Sequence, residues 1–232
     1  MADPPPGALR YEARLASRVG GHTLTSIWLE VPGDVLSTHT MPGQYVSIIA
    51  EGENGYFVLA SPVGASAWRL LAKGGGTVAD AILAAPIGTD FATTAALGHG
   101  FPCDEARGRP LVVAAAGTGI AAAPPIAARR IADGDAARTR IFLGLPSAAD
   151  LPCPEDVDTW RAAGIAVVLC ISREEARVPG AERGYVQDIA RARLTREEGM
   201  MIFTVGPAQM VAGVRALAPT LGMRDEDVRT NY

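Results

Sequence analysis

Cysteine is scarce in this chain. Cys103, Cys153 and Cys170 are the only three in 232 residues, and no CxxC pair occurs. That excludes an encoded disulfide framework and a cysteine-ligated cluster, and it leaves reduced thiols in a cytoplasmic-type compartment as the expectation. A mature organelle-stroma protein would read the same way. Long apolar runs are missing as well: none reaches the roughly 18 residues of a membrane span. The opening MADPPPGALR lacks the charged-then-apolar pattern of a secretory leader and reads as a flexible lead-in. Positive charge is not in excess. With 21 Lys and Arg against 25 Asp and Glu the formal net charge is −4, which argues against a nucleic-acid or anionic-membrane surface. His22 and His39 fall in turns and are expected at the surface. No Cys/His spacing suggests a metal, and no Ser/His/Asp or Cys/His arrangement supports hydrolase chemistry.

What is present is a globular composition, 48% hydrophobic and 20% charged, long enough for one large domain or two ordinary ones. The most informative stretch is LVVAAAGTGIAAAPPI, residues 111–126. An apolar run enters Gly117-Thr118-Gly119, and small residues suited to a closely packed helix follow. This is the strand-turn-helix entry of a nucleotide-binding sheet, in which glycines let the backbone approach a phosphate and the helix start offers free N–H groups. The third glycine of a full dinucleotide fingerprint is missing, since Ala122 stands in that region, so a tight βα turn remains the alternative.

The first hundred residues read as β-structure. Strands are expected at residues 8–18, 23–31, 44–50, 56–61, 68–72 and 86–91, separated by Gly/Pro turns that include residues 52–55. Six short strands at this spacing suggest a small antiparallel barrel. From Leu111 onward strands alternate with helices. Helices are expected from about Ala122 to Asp133, over 156–163, 186–194 and 208–217, and strands at 140–145, 165–171 and 200–205. That alternation predicts a parallel sheet with covering helices and ligands at the carboxyl ends of its strands. The expected organisation is a barrel domain over residues 8–104 and a Rossmann-like α/β domain over residues 110–232, joined by a polar segment.

The order of PGQYVSI, GYFVLASP, GGGTVADAIL, GHGFP, AAAGTGIA, IFLGLP, ISREE, ERGYVQ, VGPAQM and a terminal RTNY resembles the ferredoxin–NADP+ reductase superfamily over nearly the whole chain. The resemblance implies an FAD-binding barrel, an NAD(P)-binding domain and hydride transfer at their seam. It also implies a small redox protein, such as a ferredoxin, as the acceptor. The family's Arg-x-Tyr-Ser motif falls here on Gly55, Phe57 and Val58. Phe57 keeps a π face for the flavin ring, whereas Gly55 lacks the charge and Val58 the hydroxyl. By the same likeness Val58, Leu59, Ala60 and Ser61 line the flavin, and Gly75, Gly76 and Thr77 ahead of a helix hold its pyrophosphate. A glycine-rich hinge is the alternative for that loop.

On the nucleotide side, the resemblance places Ser172, Arg173, Arg183 and Tyr185 around a 2′-phosphate and adenine, with Gln187 assisting. This favours NADP(H), although NAD(H) stays open because Glu174 and Glu175 follow directly. Gly117, Thr118, Gly119 and Gly206 are expected at the nucleotide. Val205 occupies the place of the family's reaction-centre cysteine, Tyr232 that of its terminal flavin-covering aromatic, and His99 lies in a loop that approaches the flavin or acceptor. The replacements at Gly55, Val58 and Val205 leave a second reading, a reductase-like scaffold or subunit of a redox complex.

Overall fold

The computed structural model describes residues 10–20, 23–174, 178 and 180–231. Its first half holds β1 (Tyr11–Gly20), β2 (Thr25–Glu30), a single helical turn α1 (Gly33–Leu36), β3 (Tyr45–Ala50), β4 (Glu53–Val58), β5 (Trp68–Ala72), α2 (Thr77–Ala84) and β6 (Asp90–Thr93). The strands form one antiparallel sheet in the order β4-β3-β6-β1-β2-β5. A bridge between Leu59 and Leu70, with Ala60 N–H donating to Arg69 C=O at 2.7 Å, brings β4 back to β5 and closes the barrel. Closure removes the open edges that a six-stranded sheet would otherwise expose. Leu15, Ile27, Val46, Ile48, Leu59 and Trp68 fill the interior, and α2 plugs one end with Val78 and Ile82.

The β3–β4 hairpin is tighter than the glycines at 52–55 suggest. Glu51 and Gly52 alone turn the chain, both at positive φ (51° and 77°), as a two-residue primed turn requires. Asn54 and Gly55 are therefore inside a strand, paired with Ile49 and Ile48.

The second half holds β7 (Leu111–Ala116), a 3-10 stretch (Gly117–Ala122), α3 (Ala123–Ala132), β8 (Thr139–Leu145), α4 (Pro154–Ala162), β9 (Ala166–Ile171), β10 (Ala181–Arg183), α5 (Val186–Arg193), β11 (Met201–Val205), α6 (Ala208–Arg215) and β12 (Val228–Arg229). All six strands are parallel, in the order β10-β9-β8-β7-β11-β12. The order reverses beside β7, so the crevice that binds ligands in doubly wound sheets opens at its carboxyl end. Residues alternate between two apolar faces. Val113, Leu143 and Phe203 face α3 and α4 together with the barrel's Leu24, Ala60 and Leu71. Val112, Phe142 and Ile202 face α5 and α6. One core therefore spans both halves.

Polar contacts reinforce that seam. Arg69 on β5 bonds Asp156 on α4 at 2.8 Å, reaches the Cys153 thiol, and lies over the Trp28 ring. Ser26 meets the same thiol at 3.1 Å, and Thr23 donates to Asp150. No helix among the described residues is long and apolar enough to cross a membrane.

Candidate nucleotide and flavin sites

The turn after β7 divides its three expected residues between two tasks. Gly117 has φ +58° and open space around its missing side chain. Thr118 beside it is exposed. Gly119 is buried, and a Cβ there would lie 2.5 Å from the Val205 carbonyl oxygen. Its smallness lets the 3-10 stretch press against the end of β11, which is a packing requirement and not a ligand contact. The helix start expected to offer N–H groups is also altered. Pro124 and Pro125 open α3, are buried, and carry no N–H. Any backbone donors for an anion must come from the 3-10 stretch instead.

A cavity of about 340 Å³ opens at the carboxyl ends of β7, β8 and β9 and just beyond β11. It brings together Gly117, Ser172, Arg173 and Tyr185 from the expected set, with Gln187 at its side. Ser172 and Arg173 are held by backbone bonds from their N–H groups to Leu145 and Pro146 C=O, at 3.0 and 2.9 Å. The Arg173 guanidinium is exposed and makes no ion pair among the described residues. Glu174 turns away: its Oε1 accepts the Ala148 N–H at 2.7 Å, so this acid caps a 3-10 turn and does not face a ribose. Tyr185, 61% exposed, lines the cavity with its ring.

Residues the sequence did not single out complete the walls. Gly144 lies where a Cβ would meet Ala116 and Val186 within 2.8 Å, which keeps the floor low. Cys170 also lines it, and burial pushes that thiol up to about 12 and so keeps it neutral. Their only signal was position at strand ends, IFLGLP and VLCIS. Arg183 is exposed on β10 and does not line the cavity. Gly206, at φ +151°, approaches Ala116 C=O so closely that a Cβ would sit 2.9 Å away.

The barrel side departs more from expectation. Tyr45 pairs with Val58, and Ser47 with Tyr56, so these four share the face of the β3–β4 pair that points away from the barrel core, where Tyr45 and Ser47 are themselves covered. Phe57 lies on the opposite face, 8% exposed, inside the barrel core with Val78 and Ile82. The expectation that Phe57 stacks on a flavin is therefore corrected: the outward aromatic is Tyr56, half-buried and edge-on to Tyr45 at 6.1 Å. Leu59 and Ala60 are fully buried, in the barrel core and the seam, and cannot line a ligand either. Val58 is half-buried against the seam, and Ser61 keeps a buried hydroxyl without a partner among the described residues.

At the loop before α2, Gly75, Gly76 and Thr77, expected to hold the flavin pyrophosphate, are exposed. The Gly75 N–H, however, is already donated to Asp80 Oδ1 at 2.9 Å.

Val205, expected at the reaction centre, is 5% exposed within the common core. His99 is exposed in the loop beside Gly98 and Gly100. His39 corrects a surface expectation: it is 4% exposed, its Nε2 lacks a partner among the described residues, and burial lowers it from 6.5 to about 4. Tyr232, His22 and Glu175 lie outside the described residues. The chain preceding Tyr232 runs from β12 to the barrel, where buried Asn231 donates to Gly43 C=O at 3.0 Å.

Residues 113–216 match the family model of the oxidoreductase NAD-binding domain. No curated protein matches the chain. Among solved structures, a cytochrome P450 reductase of Amycolatopsis is similar at 22% identity and TM-score 0.80, covering 96% of this chain and 69% of the other. The flavohem-like FAD/NAD-binding domain of a Vibrio cholerae nitric oxide dioxygenase shows 19% identity and TM-score 0.81, over 95% and 97% of the two chains. A ferredoxin NADP+ reductase of Neisseria gonorrhoeae, solved with FAD and NADP, shows 15% identity and TM-score 0.79, over 96% and 99%.

Proposed function

From a chain with the fold of the ferredoxin–NADP+ reductase superfamily and an oxidoreductase NAD-binding domain at residues 113–216, we propose a flavin-linked oxidoreductase that draws its electrons from NADPH. The observation that carries this is the cavity at the strand ends, with an exposed Arg173 at its rim, in no ion pair among the described residues, and an exposed Tyr185 ring beside it. Arg173 and Ser172 are the donors for a 2′-phosphate, Tyr185 the stacking surface for adenine, and the turn at Gly117 the backbone near the diphosphate. Because Glu174 is engaged at Ala148, one of the two acids that would favour a free ribose is withdrawn, which supports NADPH over NADH.

A flavin ring would lie against the face of β3–β4 that carries half-buried Tyr56 and Val58, with buried Tyr45 edge-on to Tyr56 as support. Such a group supplies the capacity to accept hydride and release electrons singly or in pairs. The residues themselves bind, orient and shield. Val205 and the common core exclude water from the seam, and nothing on β11 offers a thiol. The acceptor beyond the flavin is a small redox protein or a larger redox assembly, consistent with the reductases this fold matches.

The test is steady-state oxidation of NADPH and NADH with an artificial dye. Arg173→Ala is expected to raise KM for NADPH about 10- to 100-fold, the worth of a hydrogen bond to a charged group, with NADH within about twofold. An equal effect on both nucleotides sinks the 2′-phosphate assignment. Absence of turnover with either nucleotide in the presence of flavin favours the scaffold reading, which Gly55 and Val205 already motivate.

A further inference from the structure

The ring side and the phosphate side of the barrel do not match, and that disagreement has a chemical reading. A Cβ on Gly55 would lie 2.7 Å from both Cβ and Cγ1 of Val78 and 2.9 Å from the Phe57 ring. No side chain, and so no cation, can leave β4 there toward a phosphate. Helix α2 has taken the space. At its start the Gly75 N–H is held by the Asp80 carboxylate, whose Oδ1 also stands 3.1 Å from where a Gly74 side chain would begin. An acid thus sits over the loop where a diphosphate would need donors. The charges in residues 73–80 are Lys73 and Asp80, which sum to zero. The other face of the β3–β4 pair keeps half-buried Tyr56 and Val58, with buried Tyr45 edge-on to Tyr56, and Ser61, three residues past β4, keeps a buried hydroxyl with no partner among the described residues.

We propose that this chain grips flavin by its ring and not by its diphosphate, so that FAD, FMN and riboflavin bind on near-equal terms and exchange as substrates. The inference rests on the flavin-linked reading above and deepens it. Two electrons and one hydrogen leave C4 of the nicotinamide as hydride, the C–H bond breaks, and a bond to a flavin ring nitrogen forms. A proton from solvent completes the balance: NAD(P)H + H+ + flavin gives NAD(P)+ and dihydroflavin. Reduced flavin then dissociates and serves whatever consumes it.

The test is titration of flavin-free protein with FAD, FMN and riboflavin, followed by flavin fluorescence. The three Kd values are expected within about tenfold of one another, since each missing phosphate contact withholds about tenfold. Asp80→Asn is expected to tighten FAD about three- to tenfold at low salt, leave riboflavin unchanged, and lose that effect at about 0.5 M salt. Tyr56→Ala is expected to weaken all three flavins alike. FAD binding 100-fold tighter than riboflavin, or FAD remaining stoichiometric through desalting, overturns this inference and leaves the oxidoreductase reading standing. Binding of none of the three overturns both.

Discussion

Burial holds the His39 imidazole at about 4, against 6.5 when exposed. The folded chain therefore resists a proton that the unfolded chain accepts. Stability from this group is fully present above about pH 6.5 and falls as pH drops from there through 4, by an order of 2–3 kcal/mol. Asp227 works in the same direction lower down, because Arg224 and Arg109 hold its carboxyl below the usual range. Urea unfolding of the wild type at pH 7 and pH 4.5, beside His39→Phe, separates the two: the variant is expected to lose most of the difference. Equal pH dependence in both proteins refutes the assignment. Neither the burial of His39 nor the face of Phe57 was legible in the sequence. A resemblance aligns Phe57 with a stacking position, but one step along a strand turns a side chain to the other face. Only the pairing of β3 with β4 fixes which ring looks outward.

The turn between β7 and α3 was legible as a glycine turn, and its division of labour was not. Gly117 is glycine for its backbone angle and Gly119 for lack of room. Gly117→Ala is expected to cost about 1–2 kcal/mol, the strain of a positive φ, with the fold intact. Gly119→Ala drives a methyl against the Val205 carbonyl and is expected to cost more, from about 3 kcal/mol upward, by overpacking at backbone. Thermal unfolding of both variants checks the order, and a smaller loss for Gly119→Ala refutes the packing argument. Longer elements read well because their periodicity extends over whole turns or strands. The strands β10 and β12, of three and two residues, did not. They are too short to show alternation, and they owe their existence to the neighbours they pair with.

The switch from close-spaced strands to strand–helix alternation near Leu111 was enough to read the two-sheet architecture of the molecule. What holds the halves together was hidden, because it lies between residues far apart in sequence. Arg130, fully buried on α3, donates to Thr139 Oγ1, to Ala106 and Arg109 C=O and to Asp135, and so fastens the connecting segment to the α/β half. Arg130→Met is expected to cost about 3–5 kcal/mol, because it strands buried acceptors and Asp135. Chemical denaturation measures that loss, and a change below 1 kcal/mol refutes the role.

The three thiols happen to mark three separate places: Cys103 in the connecting segment, Cys153 at the seam and Cys170 under the cavity, all buried and free. Burial raises the pKa of each, to about 11 for Cys103 and about 12 for Cys170, so a native chain gives an alkylating reagent no thiolate to attack. Labelling can proceed only through opening, which turns the cysteines into three clocks that time local breathing without any added probe. Pulse labelling with mass spectrometry is expected to show Cys170 slowing when nicotinamide nucleotide is added, while Cys103 keeps its pace. A uniform change at all three would mean that the molecule opens only as a whole.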